Sequence, residues 1–260
     1  MKTKAVLFLL VVLAVLLCSC RPADGIQGAG TDDGANITRE QAIDQIKAIS
    51  GGSGNADVSS IPDLDKVIDN VKYFEEALRK NDIAPERITH MILTHHDHDH
   101  VGAAAAFKKK YPDVTVMASS IEAAYISGAA KSLRLEQAEQ LQKSLPPEQQ
   151  AFGEAFCSLL RRVEPVETDH LLNAGDVLPF CGGCQVLATP GHTPGHISLY
   201  IPELETVIPG DAMALENGKP VMANPQFTLD IEKAAASFEM LMSLLPKKII
   251  CYHGGHLDMN

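Results

Sequence analysis

The stretch Thr94-His95-His96-Asp97-His98-Asp99-His100-Val101-Gly102 holds four of the chain's ten histidines and two aspartates within a few residues. It follows a short apolar run, 88–94, and precedes an Ala-rich segment, 102–111. The pattern predicts a strand, a ligand-bearing turn and then a helix. Imidazoles and carboxylates crowded this closely need a counter-charge. A divalent metal supplies one, and this donor set suits zinc, iron or manganese. The plain alternative is a solvated acidic turn without defined geometry.

Three further segments carry the same donor types. Thr189-Pro190-Gly191-His192-Thr193-Pro194-Gly195-His196 follows a predicted strand, Pro209-Gly210-Asp211 ends another, and His253-Gly254-Gly255-His256 follows a third. Each puts a potential ligand at a strand end, where a rigid sheet can aim it. Any one of them is weak evidence, whereas the four together, in this order, are specific.

In order and spacing these segments resemble the metallo-β-lactamase superfamily, whose first motif reads T-H-x-H-x-D-H-x-G and whose later ligands come from a TPGHT-like turn, a GD turn and a terminal HG turn. The resemblance covers roughly residues 64–260. It implies an α/β (α+β) fold, a four-layer αβ/βα sandwich with a two-metal site at one edge. Matched residue by residue, His95, Asp99, His100, His192, Asp211 and His253 fall on ligand positions. Asp97 stands where the family has its second histidine, a departure that makes this a His-x-Asp-x-Asp-His variant. A register using His96 and His98 would put His100 and Val101 on the Asp-His pair and misplace Gly102, so the Asp97 register is preferred. The resemblance then implies His95, Asp97 and His192 on one metal, Asp99, His100 and His253 on the other, and Asp211 bridging. The two divalent ions would be zinc, with manganese or iron as alternatives, because Asp97 makes the first site more anionic and harder. Asp99 is the expected catalytic residue, orienting a metal-bound hydroxide and carrying its proton. His96 and His98 are expected outside direct ligation, His196 as a support for the site or sheet, and His256 at the surface. His90 and His170 read as structural or solvated.

Composition narrows the function. The 260 residues are 45% apolar and 21% charged, with a formal charge of −11. An acidic chain repels phosphate backbones, so nucleic acid is not the expected partner and a small-molecule substrate is. The leading reading is a hydrolase of a lactone, thioester or β-lactam. The competing reading is a non-catalytic, membrane-tethered metal-binding or interaction lipoprotein derived from such an enzyme.

Periodicity divides the chain into a signal peptide over 1–19, a tether over 20–60 with a short helix at 39–49, and a domain over 61–260. Lys2 and Lys4 precede the apolar run 5–17, too short to span a bilayer comfortably, and Leu17-Cys18-Ser19-Cys20 is similar to a bacterial lipobox. That reading exports the chain to the bacterial cell envelope, lipid-anchored at Cys20; an ordinary secretory signal or an uncleaved anchor are the alternatives. Inside the domain, helices are expected over 64–80, 102–111 and 230–244. Strands are expected over 88–94, 114–118, 163–167, 176–180, 184–189, 196–201, 205–209 and 248–252. The Ala-, Leu-, Gln- and Glu-rich insert 119–161 predicts a helical cap, broken at Pro146-Pro147. Residues 21–60 lack the alternating strands with which the family's domain opens, so the first sheet is expected to be incomplete, its edge covered by a partner or a second copy. Cys181-Gly182-Gly183-Cys184 reads as a hairpin turn whose cysteines are either free thiols or a disulfide, and Cys157 and Cys251 as small buried hydrophobes.

Overall fold

The computed structural model describes residues 71–81 and 83–259. The expected signal peptide over 1–19, Cys20, the expected tether over 20–60 with its helix 39–49, the stretch expected to lack strands and the start of the expected helix 64–80 lie outside the described residues.

Alternation along the strands generates the layers. The first sheet is parallel, in the order β1 (His90–Leu93), β2 (Thr115–Ser119), β3 (His170–Leu172). Met91 and Leu93 of β1 and Val116 and Ala118 of β2 face one core, which Phe74 and Leu78 of α1 (Val71–Lys80) and Phe107 complete. The intervening Ile92 and Met117 face the opposite way, into a second core. There they meet the six-stranded sheet, ordered β11-β10-β7-β6-β5-β4. Its strands are β4 (Val177–Leu178), β5 (Cys184–Ala188), β6 (Ile197–Ile201), β7 (Thr206–Ile208), β10 (Lys248–Ile250) and β11 (His256–Asp258). Ile208 and Ile250 point into the second core; their neighbours Val207 and Ile249 point into a third, against Leu241 of α7 (Ile231–Ser243). Residues one position apart thus serve different layers, as the period of two requires. The result is helix, sheet, sheet, helix, as expected.

Several boundaries differ from the sequence reading. The expected helix 102–111 is two pieces, α2 (His98–Val101) and α3 (Ala104–Lys110). No strand forms over 163–167; Val166 is buried and its N–H donates to the Ile126 carbonyl at 3.1 Å, and the strand forms instead at β3, starting at His170. The hairpin β8 (Ala214–Glu216) and β9 (Lys219–Val221) was not expected. The insert 119–161 is three helices, α4 (Ser120–Ile126), α5 (Leu133–Gln142) and α6 (Gln150–Arg161). Only α5 and α6 form a hairpin with a small core of their own, around Ala138, Cys157 and Leu160. α4 belongs to the body of the domain, since it packs on β2 and buries Ile126 in the first core. Cys157, Cys184 and Cys251 are buried free thiols, and Cys181 is buried.

Candidate metal centre

All seven expected ligands converge at one end of the two sheets. His95 and Asp97 leave β1, and Asp99 and His100 lie in α2. His192 sits between β5 and β6, Asp211 in the short 3-10 turn Gly210–Ala212 after β7, and His253 beyond β10. Three overlapping groups of ligand atoms lie within 4.8 Å of one another: His95–Asp97–His192, His95–His100–Asp211, and Asp99–His100–His253. Asp211 stands between the outer two, 3.6 Å from His192 Nε2, 3.0 Å from His100 Nε2 and 3.3 Å from His253 Nε2.

The chemistry of the donors fits a metal. His95 Nε2, His100 Nε2 and Asp211 Oδ1 are buried without a hydrogen-bond partner, although the last two are 3.0 Å apart. Lone pairs that converge without bonding one another are arranged as ligands are, and buried polar atoms otherwise find partners. The carboxylates also draw positive charge. Burial pulls His253 down, but Asp211 and Asp99 outweigh it and hold the imidazole up to about 10. Burial raises Asp97, but His192, Arg134 and His95 hold it well below the usual carboxylate range.

Supporting contacts fix the donors. His196 accepts the Asp211 backbone N–H at Nε2, 3.0 Å away, so its Nδ1 carries the proton and donates to Thr189 Oγ1 at 2.8 Å. Thr189 passes the chain to Ser198, which donates to the Pro209 carbonyl at 2.9 Å. Burial pushes His196 down to about 3, consistent with this neutral role. Gly210 at φ +56° leaves no room for a side chain, because a Cβ there would lie 2.8 Å from His196 Nε2. Gly191, at φ +137°, lets the His192 turn press onto α7, where a Cβ would come within 2.2 Å of the Ala234 backbone nitrogen. The Tyr252 hydroxyl donates to the Asp99 carbonyl at 2.8 Å, tying the end of the six-stranded sheet to α2.

Sequence reasoning missed two residues. Glu122 of α4 is fully buried and accepts four hydrogen bonds, from His96 N (2.9 Å), His96 Nδ1 (2.5 Å), Thr193 Oγ1 (2.8 Å) and Gly195 N (2.8 Å). It joins the first ligand turn to the His192 turn, and it accounts for His96, which stacks on Tyr125 and faces away from the ligands. His98 faces the same way, lining with His96 and Tyr125 a cavity of about 220 Å³ between the first ligand turn and the α5–α6 hairpin. The second missed residue is Arg134 of α5, which is buried. Its Nη2 lies 2.6 Å from Asp97 Oδ2, and its Nε lies 3.2 and 3.1 Å from the two carboxylate oxygens. The same guanidinium approaches His192 Nε2 at 3.5 Å and donates to the Phe227 carbonyl. The expectation that Asp97 leaves the first site more anionic is therefore corrected: a buried cation matches it.

Comparison with known proteins agrees with this geometry. The family model described as the metallo-β-lactamase superfamily matches residues 65–253, a span that contains all seven candidate ligands. A probable metallo-hydrolase of Bacillus subtilis, YflN, is 29% identical over 184 residues, 63% of either chain, so the match spans under two thirds of that relative. A hydroxyacylglutathione hydrolase of Thermosynechococcus vestitus is 31% identical over 121 residues, 46% of this chain and 32% of the relative. Among solved structures, a metallo-β-lactamase family protein of Thermus thermophilus shares the fold, with a TM-score of 0.55 at 23% identity over 72% of this chain and 62% of the other. The strand-end ligand turns, the paired sheets between helices and the long family match lead to one conclusion: this chain belongs to the metallo-β-lactamase superfamily.

Proposed function

We propose that the chain is a two-metal hydrolase of a small ester-like substrate. The observation that carries the reading is the overlap of the three ligand groups through His95 and His100, with Asp211 in the middle group, because shared members place two ion positions side by side. His95, Asp97 and His192 would hold one ion, Asp99, His100 and His253 the other, with Asp211 between them. Bound divalent metals supply Lewis acidity and a nucleophile available at neutral pH.

The protein's own groups do the rest. Asp99 lies on the more open side of the centre, its side chain 21% exposed and 3.4 Å from His253. From there it would orient the nucleophile and take up its proton. The opposite side is closed by Arg134 and α5, so substrate enters past Asp99 and His253. The likeness to a hydroxyacylglutathione hydrolase over part of the chain supports a thioester as the substrate, with a lactone as the related ester-like alternative.

The N-terminal pattern supports the same site working outside the cytoplasm, anchored by lipid at Cys20, with a second copy or a partner covering the first sheet's edge. The test is metal content per chain in the protein beginning after Cys20, paired with thioester and lactone hydrolysis by wild type and Asp99→Ala. About two metals per chain, with hydrolysis lost in the variant, is the expected outcome. Equal rates in both proteins would remove Asp99 from the chemistry, and a metal-free wild type would remove the hydrolase reading.

A further inference from the structure

Asp97 and Arg134 are the part of the centre that the family pattern does not explain. We propose that they work as one unit, a carboxylate with its own buried cation standing in for a neutral imidazole, and that Arg134 is the positioning residue that sets the first site's metal affinity and metal preference. This rests on the metal-dependent reading above.

Four observations support it. The guanidinium side chain is 3% exposed, and a buried cation at such a position needs an anionic partner. Asp97 is the only carboxylate within ion-pair distance of it among the described residues; its remaining contacts are to Gln137, His192, the Phe227 carbonyl and the Phe227 ring. Charges cancel: one carboxylate and one guanidinium beside two imidazoles leave the same net charge as an all-imidazole site. The geometry also leaves Asp97 free to ligate. Its Oδ2 lies 2.6 Å from Arg134 Nη2 and 2.9 Å from His192 Nε2, and a carboxylate has lone pairs for a bidentate partner and a metal together. Ligating carboxylates are commonly held by such an outer partner. Arg134 is itself fixed from two sides, by α5, which carries it, and by the Phe227 carbonyl on the approach to α7.

The test compares wild type, Arg134→Met, Arg134→Lys, Asp97→His and the double variant. Each is equilibrated with equal zinc and manganese, assayed for metal content, and then challenged with a chelator. Arg134→Met uncovers the carboxylate, so its first-site metal should leave about tenfold more slowly or more, with manganese gaining on zinc. Arg134→Lys keeps the charge and should stay nearer wild type. Asp97→His leaves the guanidinium unopposed and should empty the first site, and adding Arg134→Met to it should refill that site. A merely structural Arg134 would change melting temperature while leaving the zinc-to-manganese ratio alone. An unchanged ratio and release rate in Arg134→Met, or no rescue in the double variant, overturns the proposal even with two metals in wild type. Wild type without metal overturns this proposal and the hydrolase reading together. If Arg134→Met does not fold, Asp97→His against the double variant decides alone.

Discussion

The two halves of the centre are built differently. The first, His95, Asp97 and His192, is sealed: none of the three is more than 5% exposed, and Arg134 closes it from outside. The second, Asp99, His100 and His253, lies near solvent, with the His253 side chain 41% exposed. The first half trades solvent for protein partners, so its charges must be balanced internally. The second can leave part of that balance to water. The centre thus has one group of candidate ligands held fast by protein and one open to solvent.

The contrast can be broken most severely at Glu122, which braces together the two turns that carry the ligands of the sealed half. Glu122→Ala would strand the His96 and Gly195 backbone N–H groups and the Thr193 hydroxyl in a buried place, at about 1–3 kcal/mol each. A loss of about 4 kcal/mol or more in urea unfolding, with metal lost from both positions, is expected. Near-wild-type stability would show that the two turns hold without it. Next, Asp97→Ala should cost about 3–5 kcal/mol in chelator-treated protein, because it leaves Arg134 buried and unpaired. His253→Ala in the same assay should cost less than Asp97→Ala, because the carboxylates it leaves, Asp99 and Asp211, keep His100 as a partner. Equal costs would erase the distinction between the halves. Metal release should be biphasic, the Asp99–His100–His253 position emptying first, and stopped-flow mixing with a chromogenic chelator would show it; a single phase would mean that the two positions open together. The smallest effect concerns the floor beneath the accessible half. Burial pushes the Cys251 and Cys184 thiols up to about 12. Cys251 and Cys184 should therefore resist thiol labelling in the native protein at pH 8, and rapid labelling of Cys251 would report opening at the end of β10.

Much of this was readable in advance because ligands placed at strand ends leave both a periodic signal and a chemical one. His95, His192, Asp211 and His253 each follow an apolar run, and the runs became β1, β5, β7 and β10. The supports were less visible. Arg134 lies 37 residues from its partner on a polar helix, and nothing local marks it as buried. Glu122 did leave a trace: Ser119 caps α4 by accepting from the Glu122 N–H, the Ser-x-x-Glu spacing of a helix start. The β8–β9 hairpin was likewise marked by Asn217-Gly218, both at positive φ as a tight hairpin turn requires. The misplaced strand at 163–167 has a different cause. Its valines are apolar, but the pairing with β2 is led in by Asp169, whose carboxylate accepts the Val116 N–H at 2.7 Å, and it starts at His170, beyond the expected strand.

The Tyr252–Asp99 hydrogen bond joins residues 153 positions apart. Around it the donors run from His95 to His253, so nearly the whole described chain must be in place before the last one arrives. Closing so long a loop is an entropic cost that any link across it offsets. An ion held by Asp99, His100 and His253 would do thermodynamically what a disulfide does in other proteins: it would fasten the turn after the first strand to the segment after β10 and narrow the unfolded ensemble. The reactive centre would then also be the clasp of the fold, and catalytic competence and completed folding would be acquired in the same event.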